Sequence, residues 1–241
     1  MGYNLTIDQG NSAAKIVIWH NDAYVADIFH NNLTPNEVGN IIAQYNISSA
    51  IYSSVGVTGS EIIKTLQQSC DKVIELNHTT ALPIVLDYDT PETLGRDRIA
   101  AAAGAYQLYQ GRNVLIVDMG TAVTYDILSN DAHFKGGNIA PGLKMRLDAL
   151  HQLTARLPQV AHDGECPSWG KNTETAIRAG AVYGIVGEIT YYKSILPDDT
   201  IVVLTGGSAS KIQGLLSFPT EIDEHLVNRG LNCILRYNEN N

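Results

Sequence analysis

The sequence predicts an α/β protein made of two related halves. Three observations carry that expectation. A short phrase occurs twice, as Leu5-Thr6-Ile7-Asp8-Gln9-Gly10-Asn11-Ser12 and as Leu115-Ile116-Val117-Asp118-Met119-Gly120-Thr121-Ala122. Each copy is an apolar strand that delivers a carboxylate into a glycine turn. Each copy also opens a run of three strands, and amphipathic helices alternate with strands after that.

The elements follow in order. Residues 3–8 read as a strand, and residues 14–19 and 24–29 as two more, split by a turn at 20–22. Pro35 opens a helix to about Tyr45, with Val38, Ile41 and Ile42 on one face. Residues 50–55 read as a strand, and residues 60–70 as a helix with Ile62, Ile63 and Leu66 apolar and Ser60 as its N-cap. A strand at 72–76 completes a β-β-β-α-β-α-β half. The second half restarts with strands at 113–118, 122–128 and 132–139. Helices at about 143–156 and 173–195, a strand at 201–205 and helices near 209–216 and 224–236 follow. The expected domains are therefore 1–112 and 113–241, with a nucleotide cleft between them. Trp19 and Trp169 read as packing residues.

Composition narrows the function classes. The chain has 241 residues and a hydrophobic fraction of 44%, enough for a sizeable core. Its formal net charge of −9 argues against nonspecific nucleic-acid binding. Three widely spaced cysteines, Cys70, Cys166 and Cys233, give no disulfide or zinc framework and suit a reducing cytoplasm. The N-terminus enters a strand without a signal-peptide pattern, and no apolar run reaches the roughly 18 residues of a membrane span.

The motifs narrow them further. No Walker A loop, Rossmann fingerprint or protein-kinase signature is present. Asp8 and Asp118 sit in matched contexts suited to holding a cation near phosphates. Gly10, Asn11 and Ser12 offer N–H and hydroxyl donors to a phosphate, and Lys15 adds a charge or merely lies on a solvated strand face. Gly120-Thr121-Ala122 forms the second turn. Leu204-Thr205-Gly206-Gly207-Ser208 ends a strand and begins a helix, and its glycine pair lets a flat ring lie against backbone. Thr90-Pro91-Glu92-Thr93-Leu94-Gly95-Arg96-Asp97-Arg98 runs into an alanine-rich helix. Asp97 there is either a carboxylate beside a substrate hydroxyl or part of a surface ion-pair cluster.

Taken together the motifs resemble type III pantothenate kinases, within the acetate and sugar kinase/Hsp70/actin superfamily. The likeness spans nearly the whole chain: DQGNS at 8–12, PETLGRDR at 91–98, DMGTAVTYD at 118–126, GGNIAPG at 136–142, GKNTETAIRAG at 170–180 and the turn at Thr205-Gly206-Gly207. The resemblance implies duplicated ribonuclease H-like (actin-like ATPase) domains with mixed sheets. It implies ATP-dependent phosphorylation of pantothenate, the first step of coenzyme A biosynthesis.

By the same resemblance Asp8, Gln9, Gly10, Asn11, Ser12, Ala13, Ala14 and Lys15 form an ATP phosphate loop. Thr121, Gly206 and Gly207 are further ATP contacts. Tyr88, Gly95, Arg96, Asp97, Arg98 and Thr173 contact pantothenate, with Asp97 as proton acceptor. Asp118 holds a monovalent cation, K⁺ or NH₄⁺, and Asp8 supports Mg²⁺. A homodimer is implied as well. Asn11-Ser12 stands where the family usually has Asn-Thr, which keeps the hydroxyl. Another small-metabolite or sugar kinase of the superfamily, or a non-catalytic ATP-binding regulator, remains the alternative.

Overall fold

The computed structural model describes residues 2–10, 13–54 and 59–239. In chain order the elements are β1 (Tyr3–Gln9), β2 (Ala14–His20), β3 (Ala23–His30), α1 (Pro35–Tyr45), β4 (Ile47–Ser54), α2 (Ser60–Ser69), β5 (Lys72–Glu75) and β6 (Val85–Leu86). A single 3₁₀ turn at Pro91–Thr93 leads into α3 (Arg96–Leu108). Then come β7 (Val114–Met119), β8 (Ala122–Leu128), β9 (His133–Pro141), α4 (Leu143–Gln152), α5 (Thr173–Ser194), β10 (Ile201–Thr205), α6 (Ala209–Gln213), β11 (Glu221–Ile222) and α7 (Leu226–Glu239). They divide into two compact units. Unit 1 is Met1–Gln110, Asp131–Phe134 and His225–Asn241; unit 2 is Gly111–Asn130 and Lys135–Glu224.

Unit 1 is built on a five-stranded sheet of order β3-β2-β1-β4-β5. β1 runs antiparallel to β2 and parallel to β4. Alternation along the strands gives the sheet two faces. Leu5, Ile7, Ile16, Ile18, Ala50 and Tyr52 pack with Val38, Ile41 and Ile42 of α1 and with Ile62 and Leu66 of α2. Helix α7 packs against β1, β2 and β4, and against α3. The α3–α7 crossing is close because it is lined by glycine: a Cβ on Gly230 would stand 1.7 Å from the Ala100 carbonyl oxygen.

A polar seam fixes the register of α7 on that sheet. The Asn228 amide donates to Thr6 Oγ1 at 3.1 Å and to the Lys15 carbonyl at 3.1 Å, and Asn232 accepts from Asn4 at 3.0 Å. Trp19 Nε1 donates to the same Thr6 hydroxyl at 3.0 Å. All five of these side chains, Asn4, Thr6, Trp19, Asn228 and Asn232, are buried.

Unit 2 repeats the plan. β7 runs antiparallel to β8 and parallel to β10, as β1 does to β2 and β4. Its core joins Leu115, Val117, Val123 and Tyr125 to Leu147 of α4, Val182, Ile185 and Ile189 of α5 and Ile212 of α6. Arg146 on α4 and Tyr125 on β8 both bond to Glu188 on α5, which ties strand and helices together.

Several local expectations shift. Helix α1 starts on a capping box, with Thr34 and Glu37 bonded reciprocally. It ends at Asn46 in the left-handed region (φ 51°), so β4 begins at once, earlier than residue 50. Gly59, not Ser60, is the N-cap of α2, and among the described residues no side chain caps it. The helices read at 143–156 and 209–216 stop at Gln152 and Gln213, and the last one runs Leu226–Glu239. Val55 lies outside the described residues. Trp19 is fully buried as expected, but Trp169 is 87% exposed and packs no core. No helix among the described residues is long and apolar enough to cross a membrane.

Candidate active site

In unit 1 the first acidic bend is the end of β1. Asp8 is half-buried, pairs with Lys15 across to β2 and lies beside Ser53 of β4. Gln9 pairs with Ala14 on one side and Ser54 on the other. The Gly10 N–H donates to the Ala13 carbonyl at 2.9 Å, which joins the two strands at this end. Asn11 and Ser12 lie outside the described residues.

The charged segment before α3 is fastened to that same sheet. Gly95 is the N-cap of α3, and Arg96 opens the helix. Arg96 Nη1 donates to the Ser54 carbonyl at 3.0 Å, on the strand next to Gln9. Asp97 Oδ1 accepts from the Arg98 backbone N–H at 2.9 Å, so the carboxylate sits over the positive end of the helix. A cavity of about 290 Å³ beside Arg96 is lined by Tyr52, Ser54, Ser60 and Glu75 among others. Burial raises the Tyr52 phenol above its ordinary value. The charges of Glu75 and Asp8 act in the same sense, while the Ser54 hydrogen bond and Arg96 oppose it.

Arg98 turns the other way and is only 5% exposed. Its guanidinium carbon lies 5.8 Å from the Tyr88 ring centroid and 5.6 Å from that of Phe134. Tyr88 is carried by the strap that follows β6. Val85 and Leu86 pair with His133 and Phe134, and His133 Nδ1 bonds Asp87 Oδ2 at 3.0 Å. The structure thus brings Tyr88 and Arg98 together. Nothing in the sequence marks Phe134 beyond its place in a strand, and His133 carries no ligand spacing that would flag it.

In unit 2 the second acidic bend is enclosed by glycine backbone. Asp118 pairs with Thr124 of β8 and Thr205 of β10. Gly206 has φ +86°, and a Cβ there would stand 2.7 Å from Asp118 Oδ1 and 2.6 Å from the Met119 carbonyl carbon. Gly142 donates to the Thr121 carbonyl at 3.1 Å, and its own Cβ would meet that oxygen at 2.2 Å. Gly206 thus lies against Asp118, and Gly142 against Thr121, along one rim where main chain stands in place of side chains. Such a rim suits a ligand that hydrogen-bonds to backbone. Gly142 was missed in the sequence as a neighbour of Thr121; its place in GGNIAPG was the available signal.

Thr173 is the first residue of α5. It is exposed, after the Asn172 N-cap that accepts from Thr175 N–H at 2.9 Å. It borders an apolar groove of about 590 Å³ with Leu150, Ile177 and Gly180. Among the described residues no three His, Cys, Asp or Glu side chains cluster as a metal-binding group.

Known proteins resemble this chain along nearly its whole length. The family model described as type III pantothenate kinase matches residues 4–194. A type III pantothenate kinase of Bacteroides fragilis (strain YCH46) is 39% identical over 238 residues, covering 98% of each chain. Among solved structures, a conserved Baf family protein from Campylobacter jejuni superposes with a TM-score of 0.65 at 24% identity, covering 98% of this chain and all of that one. Component A of the Acidaminococcus fermentans (R)-2-hydroxyglutaryl-CoA dehydratase superposes at 0.56 with 13% identity, over 98% and 97%. The fold is the duplicated ribonuclease H-like one, with a mixed sheet in each half.

Proposed function

We infer that this chain, which belongs to the type III pantothenate kinase family, transfers a phosphoryl group from ATP to the primary hydroxyl of pantothenate and so opens coenzyme A biosynthesis. The observation that carries the reading is likeness over almost the full length to enzymes of that name, on a fold with two acidic glycine bends.

The roles proposed for the residues follow from their chemistry. Phosphoryl transfer rests mainly on positioning and charge neutralisation. Backbone N–H groups at the two bends, with Lys15, receive ATP phosphates. The glycine-walled rim at Thr121, Gly206 and Gly207 admits a ligand close to main chain. The divalent metal that a kinase uses with ATP would be Mg²⁺ here, supported by the Asp8 carboxylate, and when bound it neutralises phosphate charge. Asp118 would hold K⁺ or NH₄⁺. Tyr88, Gly95, Arg96, Arg98 and Thr173 contact pantothenate. Asp97 orients the attacking hydroxyl and takes its proton. We further propose a homodimer acting in the cytoplasm. Exposed Ile139 and Leu153 in unit 2 are apolar surface that a second copy would cover, and the three unpaired thiols suit a reducing compartment.

The test is a coupled ADP-release assay with pantothenate, ATP, Mg²⁺ and K⁺, omitting each in turn. ADP release that needs every component is expected. Release driven by sugars and indifferent to pantothenate would overturn the substrate assignment, and light scattering of the eluted protein at monomer mass would overturn the dimer.

A further inference from the structure

We propose that Phe134 is a positioning residue for the pantothenate segment: its ring holds the Arg98 guanidinium and the Tyr88 ring in one fixed arrangement. The inference rests on the reading of Tyr88 and Arg98 as substrate contacts and adds a residue outside every motif.

The geometry is that of a triangle. Arg98 Cζ is 5.6 Å from the Phe134 centroid and 5.8 Å from the Tyr88 centroid, and the two rings lie 6.1 Å apart at 55°. Each group therefore bears on the other two. Phe134 is fully buried, whereas Tyr88 is only partly so. Of the three it is the one with no surface open to solvent. A guanidinium lying over aromatic rings keeps its N–H donors at its edge, so the rings decide where that edge points.

The anchor is itself secured at several points. The Val85 N–H donates to the Ala132 carbonyl and the Asp87 N–H to the Phe134 carbonyl, both at 3.0 Å. The Asp87–His133 contact closes the same short ladder from the side-chain direction. Backbone pairing at residue 134 thus fixes the strap that carries Tyr88, while the Phe134 side chain fixes Arg98. One residue couples two proposed substrate contacts that lie on different elements.

The test is kinetic. Phe134→Leu keeps apolar bulk and removes the ring; Phe134→Met does so with a side chain that fills irregular space, and serves if the leucine variant does not fold. We expect the KM for pantothenate to rise about three- to tenfold, inside the roughly two- to thirtyfold range a cation–π contact spans, with kcat and the KM for ATP near the parent values. Phe134→Tyr, which restores a ring, should recover most of the loss. Arg98→Lys should raise the pantothenate KM in the parent and add little in the Phe134→Leu background. Full additivity of the two changes, or a loss spread equally over both KM values and kcat, would overturn the positioning role. An Arg98→Lys enzyme with an unchanged pantothenate KM would instead remove the substrate-segment reading on which the role rests.

Discussion

The two acidic glycine bends share a sequence phrase and a strand topology but not their surroundings. The Asp8 bend is secured from below by polar contacts. Thr6, two residues earlier on β1, takes hydrogen bonds from Trp19 and from Asn228 of α7, and Asn228 also reaches the Lys15 carbonyl. The Asp118 bend is instead walled by backbone, with Gly206 against Met119 and Gly142 against Thr121. Duplication supplied the carboxylate at the end of a strand in both halves. What differs is how closely a neighbouring main chain approaches it. In the first half the tolerance for a side chain is larger: among the described residues, a Cβ on Gly10 would meet nothing nearer than the Ala13 carbonyl at 3.3 Å.

If both bends hold ligands and neither handles the proton, the largest kinetic loss should come from elsewhere. Asp97→Asn preserves an acceptor for the Arg98 N–H, so thermal unfolding should be unchanged. General-base help is commonly worth about 10²–10⁴-fold, and a fall of that size in kcat is expected. Turnover near the parent value in steady-state assays would remove Asp97 from the mechanism and return proton handling to one of the bends.

The contrast in tolerance is tested by two alanine substitutions. Gly206→Ala places a Cβ 2.6 Å from backbone at φ +86°, so it meets overpacking and backbone strain together. A cost of about 1–3 kcal/mol follows, with a higher KM for ATP. Gly10→Ala should cost clearly less, because the nearest atom it would meet among the described residues, the Ala13 carbonyl oxygen, is at 3.3 Å. Denaturant unfolding of the pair decides the matter, and the reverse order would break the comparison.

The bends should also differ in the ion each serves. Asp118→Asn should flatten the activation by K⁺ or NH₄⁺, with the loss at saturating K⁺ about tenfold, or about 1.4 kcal/mol. Asp8→Asn should instead raise the Mg²⁺ concentration needed for half-maximal rate. Titrating each variant with both ions gives a two-by-two pattern. Equal sensitivity of both variants to both ions would erase the division of labour.

Much of the fold was legible because it depends on local pattern. The repeated strand phrase, the Pro35 helix start and the alanine run of α3 all declare themselves in a few residues. β6 and β11, at two residues each, are too short to show alternation, and they exist through pairing with β9 and β10. For the candidate site, Asp8, Asp97 and Asp118 stand out as residue types, yet their surroundings do not. Phe134 meets Arg98, and Gly142 meets Thr121, only through tertiary contact, which no spacing along the chain encodes. Trp169 was misread for the same reason, since size alone says nothing about whether a neighbour exists to cover it.

The smallest expected effect concerns the polar seam beneath the first bend. Asn228 is fully buried, and its amide has three acceptors within reach, at 3.4 Å, 3.1 Å and 3.1 Å. Its own Oδ1 is buried with no hydrogen-bond partner among the described residues. Asn228→Ala therefore removes donated bonds and, at the same time, an unsatisfied acceptor. A buried hydrogen bond contributes about 0.5–1.5 kcal/mol net, and leaving an acceptor unmade costs about 1–3 kcal/mol, so the two nearly offset. The expected loss is below about 1 kcal/mol, read as a small shift in the urea midpoint with an unchanged slope. A loss several times larger would mean that the seam, rather than strand pairing, sets the geometry of the Asp8 bend, and the polar fastening of the first half would then be as demanding as the glycine wall of the second.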